Sequence, residues 1–132
     1  MAQVRQPLDI DDVIMEIKKA LSERENKMSI VRVEAGSSTL LAEIDNYYIL
    51  PELSTAGQGI AVTLPIIENT KSVSGIMFLV NVTNGTVSFN TPQNSVPIYY
   101  QEGFDVNSGT YEVNALFNGE FWSLTSTKIS EG

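Results

Sequence analysis

The stretch TYEVNALFNGEFWSLTSTK, residues 110–128, decides the fold class of this chain. Apolar and polar residues alternate along its first half, as expected of a β-strand with one buried face. Asn118-Gly119 interrupts the pattern, and this dipeptide is typical of a two-residue hairpin turn because both positions must accept positive φ. We therefore expect Thr110–Phe117 and Phe121–Lys128 to pair as an antiparallel hairpin.

The residues before this hairpin form short runs rich in β-branched and aromatic side chains, separated by turn-forming residues. Ile76-Met77-Phe78-Leu79-Val80 is apolar throughout, which predicts a central strand buried on both faces. Several short strands without an intervening helix are typical of a β-sandwich. The predicted strands are Ile30–Val33, Thr39–Ile44, Tyr47–Leu50, Gly59–Leu64, Gly75–Val82, Thr86–Asn90 and Val96–Gln101.

The N-terminal part of the chain has a different period. Apolar residues recur every three or four positions between Asp9 and Lys27, which predicts an amphipathic α-helix. The stripe on this helix consists of Ile10, Val13, Ile14, Ile17 and Leu21. The chain is therefore predicted to be mainly β: residues 29–132 form an antiparallel, jelly-roll-like β-sandwich, and residues 1–28 form an N-terminal arm and one helix.

The stripe has three possible roles: packing on the β domain of its own chain, joining copies of the chain, or docking on another protein. Its heptads number barely two, fewer than the three to four that indicate a coiled coil. An N-terminal helix ahead of a self-contained β domain is poorly placed to complete that domain's core. We therefore favour the assembly or docking role for the stripe.

The composition limits the available chemistry. The chain has 132 residues, enough for one domain, and contains neither cysteine nor histidine. Disulfides, thiolate chemistry and the commonest general base are therefore excluded. We predict a protein that is not an enzyme and that needs no cofactor and no metal.

The charge is unevenly distributed. Residues 33–132 contain ten acidic and two basic residues and carry the whole net charge of −8, whereas residues 1–32 contain six of each kind. An acidic surface repels phosphate backbones, so no nucleic-acid binding is expected. No apolar run reaches the roughly 20 residues that cross a bilayer, and the N-terminus lacks a secretion signal, so we expect no membrane association and synthesis in the cytoplasm.

The acidic residues suggest two cation sites and one catalytic arrangement, each with a simpler alternative. Asp9–Asp12 is better explained as charge compensation at a helix start, and Asp105–Gly109 as a turn that lacks the ligands of an EF-hand. A pair of carboxylates from the last strands could resemble a glycosidase site, but a solvated acidic face is the favoured interpretation. The carboxylates concerned are Glu102, Asp105, Glu112 and Glu120.

Aromatic residues offer a candidate ligand platform on which sugars could stack. Because neighbouring residues of a strand point to opposite faces, at least one tyrosine of each adjacent pair is expected at the surface. Burial in the core or at a subunit interface is the favoured alternative. The candidate platform residues are Tyr47, Tyr48, Tyr99, Tyr100 and Trp122.

Four segments of the β region share a recognisable pattern: Gly59–Pro65, Gly75–Val82, Ser108–Val113 and Phe117–Leu124. The pattern is a strand ending in Leu-Pro, a strand ending at an Asn-containing turn, and a Gly-x-Tyr strand that returns through Asn-Gly to an aromatic-Trp strand. Over roughly residues 58–127 the chain therefore resembles the small β domains of tailed-bacteriophage virion proteins, of the head-fibre, capsid-decoration and tail-appendage types.

This resemblance implies a structural protein of the virion and brings no catalytic residues with it. It implies a homo-oligomer, a trimer in preference to a dimer, whose N-terminal segment attaches to the capsid or to other phage structural proteins. A carbohydrate- or host-surface-binding module is the alternative, and both functions could coexist because phage appendages contact host glycans.

Overall fold

The computed structural model describes residues 14–15, 28–68 and 72–130. Among these residues the chain forms nine β-strands and one 3-10 turn, Pro92–Asn94, so the prediction of a mainly β protein is confirmed. The strands are β1 Ser29–Arg32, β2 Thr39–Leu41, β3 Asn46–Ile49, β4 Gly59–Thr63, β5 Ser74–Val82, β6 Thr86–Asn90, β7 Ile98–Tyr100, β8 Gly109–Phe117 and β9 Trp122–Ser130.

The nine strands belong to two sheets, which we call the larger and the smaller sheet. The larger has the order β1-β3-β5-β8-β9-β7, and the smaller has the order β2-β4-β6. From β1 to β6 the chain therefore changes sheet at every connection. Each time the chain returns to a sheet, the new strand runs in the same direction as the previous strand of that sheet. The neighbouring strands among β1, β3 and β5 are therefore parallel, as are those among β2, β4 and β6.

The expectation of a purely antiparallel domain is wrong. Only the β5–β8 and β8–β9 pairs are antiparallel, and β7 pairs with β9 in parallel. Inward and outward residues alternate with the same period of two in both kinds of strand pair. The sequence pattern therefore located the strands but contained no signal for their relative direction.

Within the described part of the chain, buried residues of both sheets contact each other in one hydrophobic cluster. Ile76, Phe78, Val80 and Val82 of β5 are each fully buried, and Phe78 contacts Phe89 of the smaller sheet with ring centroids 5.4 Å apart. Residues of both sheets, from Ala42 to Leu124, belong to the same buried cluster. Buried and half-buried positions alternate along all nine residues of β5, so the predicted burial on both faces holds for its inner face only.

The pairing of β8 with β9 is confirmed, but its two-residue turn is not. Phe117 is opposite Trp122, which leaves a four-residue loop. Within this loop Gly119 has a positive φ of 103°, whereas Asn118 uses its side-chain oxygen to accept hydrogen bonds from the backbone amides of Glu120 and Phe121. The side chain of Asn118 therefore satisfies backbone amides of the loop, and Gly119 adopts the left-handed backbone conformation that the loop requires.

The second Asn-Gly dipeptide, Asn84-Gly85, forms a corner between the two sheets, because β5 and β6 belong to different sheets. The corner packs closely against the loop before β4. A Cβ atom added to Gly85 would lie 2.9 Å from the backbone oxygen of Gln58 and 3.0 Å from Cβ of Leu53. These short distances require glycine at this corner.

Most of the predicted N-terminal helix lies outside the described residues. Ile14 and Met15, the two described residues of the Asp9–Lys27 segment, have a helical backbone and are exposed. The boundary between an N-terminal segment and the β domain at residue 28 stays a prediction. None of the described residues forms a helix long and apolar enough to cross a membrane.

We predict that Gly85→Ala lowers the free energy of unfolding by about 1–3 kcal/mol, the usual cost of overpacking. The matched control is Gly75→Ala, where the nearest atom to the new Cβ is the flexible end of Leu116 at 3.2 Å. Urea unfolding followed by tryptophan fluorescence measures both variants. An equal loss in the two would contradict the close approach at Gly85.

Candidate functional site

The aromatic residues predicted to form one ligand platform lie in three separate places. Tyr48 and Trp122 are core residues with 4% and 0% of their surface exposed, so the prediction is wrong for these two. Tyr47 lies on the outer face of the larger sheet, and Tyr99 and Tyr100 lie on its edge strand β7. Tyr99 and Tyr100 are adjacent in sequence, but as neighbours on one strand they point to opposite sides of the sheet.

The buried tips of Tyr48 and Trp122 have hydrogen-bond partners, which explains how the core accepts them. The hydroxyl of Tyr48 accepts hydrogen bonds from the backbone amide of Glu43 at 2.7 Å and from Nδ2 of Asn46 at 3.1 Å. Nε1 of Trp122 donates to the carbonyl oxygen of Pro65 at 3.2 Å. A buried polar group without a partner costs about 1–3 kcal/mol, so these contacts stabilise the fold.

We use the name tyrosine edge for four aromatic residues: the exposed Tyr99 and Tyr100 and the half-buried Phe104 and Phe121. Tyr99 and Tyr100 are about half exposed, at 55% and 49%. The ring of Tyr99 meets Phe121 edge-on at 4.7 Å, and the ring of Tyr100 is tilted against Phe104 at 4.9 Å. Each exposed ring is thus held by a second aromatic ring, and burial raises the pKa of the Tyr100 hydroxyl above its ordinary value.

The structure places Phe104 and Phe121 beside these tyrosines. Phe104 follows β7 in the connection to β8, and Phe121 immediately precedes β9. The parallel pairing of β7 with β9 places Tyr99 next to Ser123, so that Phe121 comes within reach of its ring. Sequence reasoning could not find this cluster because it depends on an unexpected parallel strand pair.

Tyr47 makes a contact of a different kind. Its hydroxyl donates a hydrogen bond of 2.8 Å to Oε2 of Glu112 across β5, which lies between their strands. Burial, together with this carboxylate, raises the pKa of Tyr47 from 10.0 to about 12. Ionisation is disfavoured because a phenolate would lose the donated proton and would face a second negative charge.

The remaining acidic candidates lie on the surface. Glu102, Asp105 and Glu120 are exposed, and the side chain of Asp105 accepts a hydrogen bond from the backbone amide of Asn107, as in an ordinary turn. Within the described part of the chain, no three acidic side chains are grouped so that they could hold a metal ion. The cluster Asp9–Asp12 lies outside the described residues.

An open apolar cavity of about 410 Å³ was not predicted from the sequence. It is lined by Glu43, Ile44, Pro65, Ile66 and Ile67. Ile44 and Ile66 are 38% and 48% exposed, so the cavity is a surface hollow with a single carboxylate at its rim. The only sequence signal for it is the apolar Pro-Ile-Ile run directly after the Leu64 end of a strand.

The predicted assembly stripe can be examined at one residue. Ile14 is 43% exposed, whereas Ile10, Val13, Ile17 and Leu21 lie outside the described residues.

Comparisons with protein-family models, with curated proteins and with solved structures found no match to this chain.

We predict that Tyr47→Phe changes how stability depends on alkaline pH. Because the folded-state pKa is raised, Tyr47 contributes its full stabilisation below pH 10, where it is protonated in both states, and loses it as the pH rises from 10.0 to about 12. The wild-type free energy of unfolding should therefore fall more steeply in this range than that of the variant. Urea unfolding at several pH values measures both slopes.

A second variant, Glu112→Gln, removes the negative charge and keeps a hydrogen-bond acceptor for Tyr47. It should make the alkaline slope shallower than that of the wild type, because the carboxylate contributes to the raised pKa. At pH 7, Tyr47→Phe should cost about 1 kcal/mol, the usual net value of one hydrogen bond. Identical pH profiles for wild type and Tyr47→Phe would show that the contact is not formed in solution.

Proposed function

We propose that this chain is a homo-oligomeric structural subunit of a tailed-bacteriophage virion, of the head-fibre or capsid-decoration type. The observation that carries the proposal is the exposure of Ile14, a stripe residue, beside a β domain that has its own buried core. An isoleucine on an apolar stripe that does not pack on its own domain is available for contacts with another chain.

The proposal includes an architecture for the whole chain. We propose that the two sheets pack as a sandwich of mixed strand direction and that the Asp9–Lys27 segment forms the helix that the sequence predicts. Met28 alone separates this segment from β1, which is an edge strand of the larger sheet. The segment therefore joins the domain at a sheet edge, where it can reach a capsid protein or other copies of the chain.

The partners in this proposal are further copies of the chain, as a trimer in preference to a dimer, and capsid or other structural proteins of the phage. The chemistry is non-enzymatic, and no cofactor is required. The acidic excess in residues 33–132 suits a soluble surface that does not bind nucleic acid. Synthesis would take place in the host cytoplasm and the final location would be the virion.

We predict that Ile14→Glu weakens self-association or attachment of the full-length protein, because a charge on the stripe must lose water when the stripe is covered. The matched control is Met15→Glu. Met15 is 68% exposed, and at 3.6 residues per turn it lies about 100° around the helix from Ile14, off the stripe.

Two measurements are needed: mass in solution by light scattering, and binding to particles assembled without the protein. Ile14→Glu should weaken the affinity of self-association or of particle binding about tenfold, which corresponds to about 1.4 kcal/mol. The mass in solution or the particle occupancy should fall as a result. Met15→Glu should change neither. A wild-type protein that is monomeric and does not bind particles would refute the proposal.

The alternative function is binding of carbohydrate on a host surface, and the tyrosine edge favours it. Tyr99 and Tyr100 point to opposite sides of the edge strand, and each is an exposed ring held by a second ring, like the rigid aromatic surfaces on which sugar rings stack. The cluster is placed on an edge strand, where a glycan could approach without obstruction by a neighbouring strand.

For this alternative we predict that Tyr99→Ala weakens glycan binding about tenfold in an array titration. Ile129→Ala, at a residue 56% exposed outside the tyrosine edge, should leave binding unchanged. Loss of a stacked ring should weaken binding by about 1–1.5 kcal/mol, roughly tenfold. No glycan binding by the wild type at millimolar concentration would exclude this function and leave the structural proposal intact.

A further inference from the structure

The central strand β5 is apolar on both sides. Its inward residues are fully buried, and the outward residues Met77 and Leu79 remain half-buried. A sheet face that meets only water normally alternates to polar residues, whereas a strand that is apolar on both sides is typical of a sheet covered on both faces. The outward side of β5 therefore has the composition of a contact surface.

The strand register places further apolar residues beside Met77 and Leu79. Ile30, Tyr47 and Met77 occupy adjacent positions on β1, β3 and β5, and Ile49 lies next to Leu79. Leu116 lies on β8, opposite Gly75. We call the six residues the outer apolar face: Ile30, Tyr47, Ile49, Met77, Leu79 and Leu116.

The outer apolar face lies mainly on the three adjacent strands β1, β3 and β5, because the β8 neighbours of Met77 and Leu79 are Asn114 and Glu112. Leu116 extends it to a fourth strand, which gives a width of about 14 Å at the usual 4.8 Å spacing. Its two ends are the most exposed: Ile30 at 70% and Leu116 at 43%. Contiguous apolar surface of this kind on a protein with a net charge of −8 marks an interaction site.

Two opposite charges flank this face in one row of the sheet. Arg32, Ile49, Leu79 and Glu112 occupy neighbouring positions on β1, β3, β5 and β8. A copy of the same face offers an apolar centre with one positive and one negative end, so it can oppose unlike charges when two copies meet. Arg32 is also the last basic residue before the strongly acidic part of the chain.

We infer that the outer apolar face is a contact between copies of this chain, which rests on the proposed homo-oligomeric function and identifies a second surface for it. A second copy is the occupant that the charges of this face favour, because Arg32 and Glu112 lie at its two ends and two copies can oppose these unlike charges. Apolar side chains form the centre of this contact, and the Arg32–Glu112 pairing between copies lies at its rim.

The test uses the full-length protein and the double variant Ile30→Glu/Leu116→Glu. The matched control is Leu41→Glu, at a residue 78% exposed on β2 of the smaller sheet, far from this face in the strand order. Sedimentation equilibrium should show a wild-type oligomer, an unchanged control, and dissociation of the double variant with affinity reduced at least about tenfold. Far-UV circular dichroism checks that each variant is folded.

Charge reversal provides a test that does not depend on the apolar substitutions. Arg32→Glu and Glu112→Arg should each weaken association, and the two together should restore it, because unlike charges again oppose each other. A double reversal that remains as weak as the single variants would overturn the proposed pairing.

The outcomes separate this inference from the proposed function. An oligomer that is dissociated by Ile14→Glu but unaffected by Ile30→Glu/Leu116→Glu overturns the inference and leaves the function standing. A wild-type monomer overturns both the inference and the homo-oligomeric function. A face covered by the chain's own N-terminal segment would give that monomeric result, and Ile30→Glu/Leu116→Glu would then lower the free energy of unfolding of the monomer.

Discussion

The burial of the inner side of β5 is the interaction on which the rest of the structure depends. Ile76, Phe78, Val80 and Val82 lose all contact with water, and Phe78 meets an aromatic ring on either side, Tyr48 in its own sheet and Phe89 in the other. A fully buried side chain of this size contributes about 1.5–3 kcal/mol of hydrophobic stabilisation. Both sheets are arranged around this row.

The alternation of the chain between sheets follows from the same requirement. Each short strand can bury only one face, so a connection that crosses to the opposite sheet lets successive strands cover each other. Repeating this crossing stacks β1, β3 and β5 on one side and β2, β4 and β6 on the other. The hairpin β8–β9 then extends the larger sheet and places Trp122 in the core.

The same arrangement separates the aromatic residues into core and surface. Tyr48 and Trp122 occupy inward positions and use their polar atoms within the fold, whereas Tyr99 and Tyr100 remain on an edge strand. The larger sheet also presents an outer side that is mainly apolar on β1, β3 and β5 and includes Leu116 of β8. The β domain therefore offers two surfaces of different chemistry, an aromatic edge and an aliphatic face.

The sequence by itself determined the mainly β class, the approximate positions of the strands, the pairing of β8 with β9, and the apolar character of β5 on both sides. These features are local, because alternation and turn residues act over a few positions. The N-terminal stripe is equally local, and its role in assembly stays a prediction.

Tertiary structure alone decided the strand directions, the split of the aromatic platform, and the alignment of Arg32 with Glu112 across the larger sheet. Alternation has the same period in parallel and antiparallel strands, so it contains no information about which strands become neighbours. That choice depends on how all inward side chains fill one core at once, and no short segment of sequence records it.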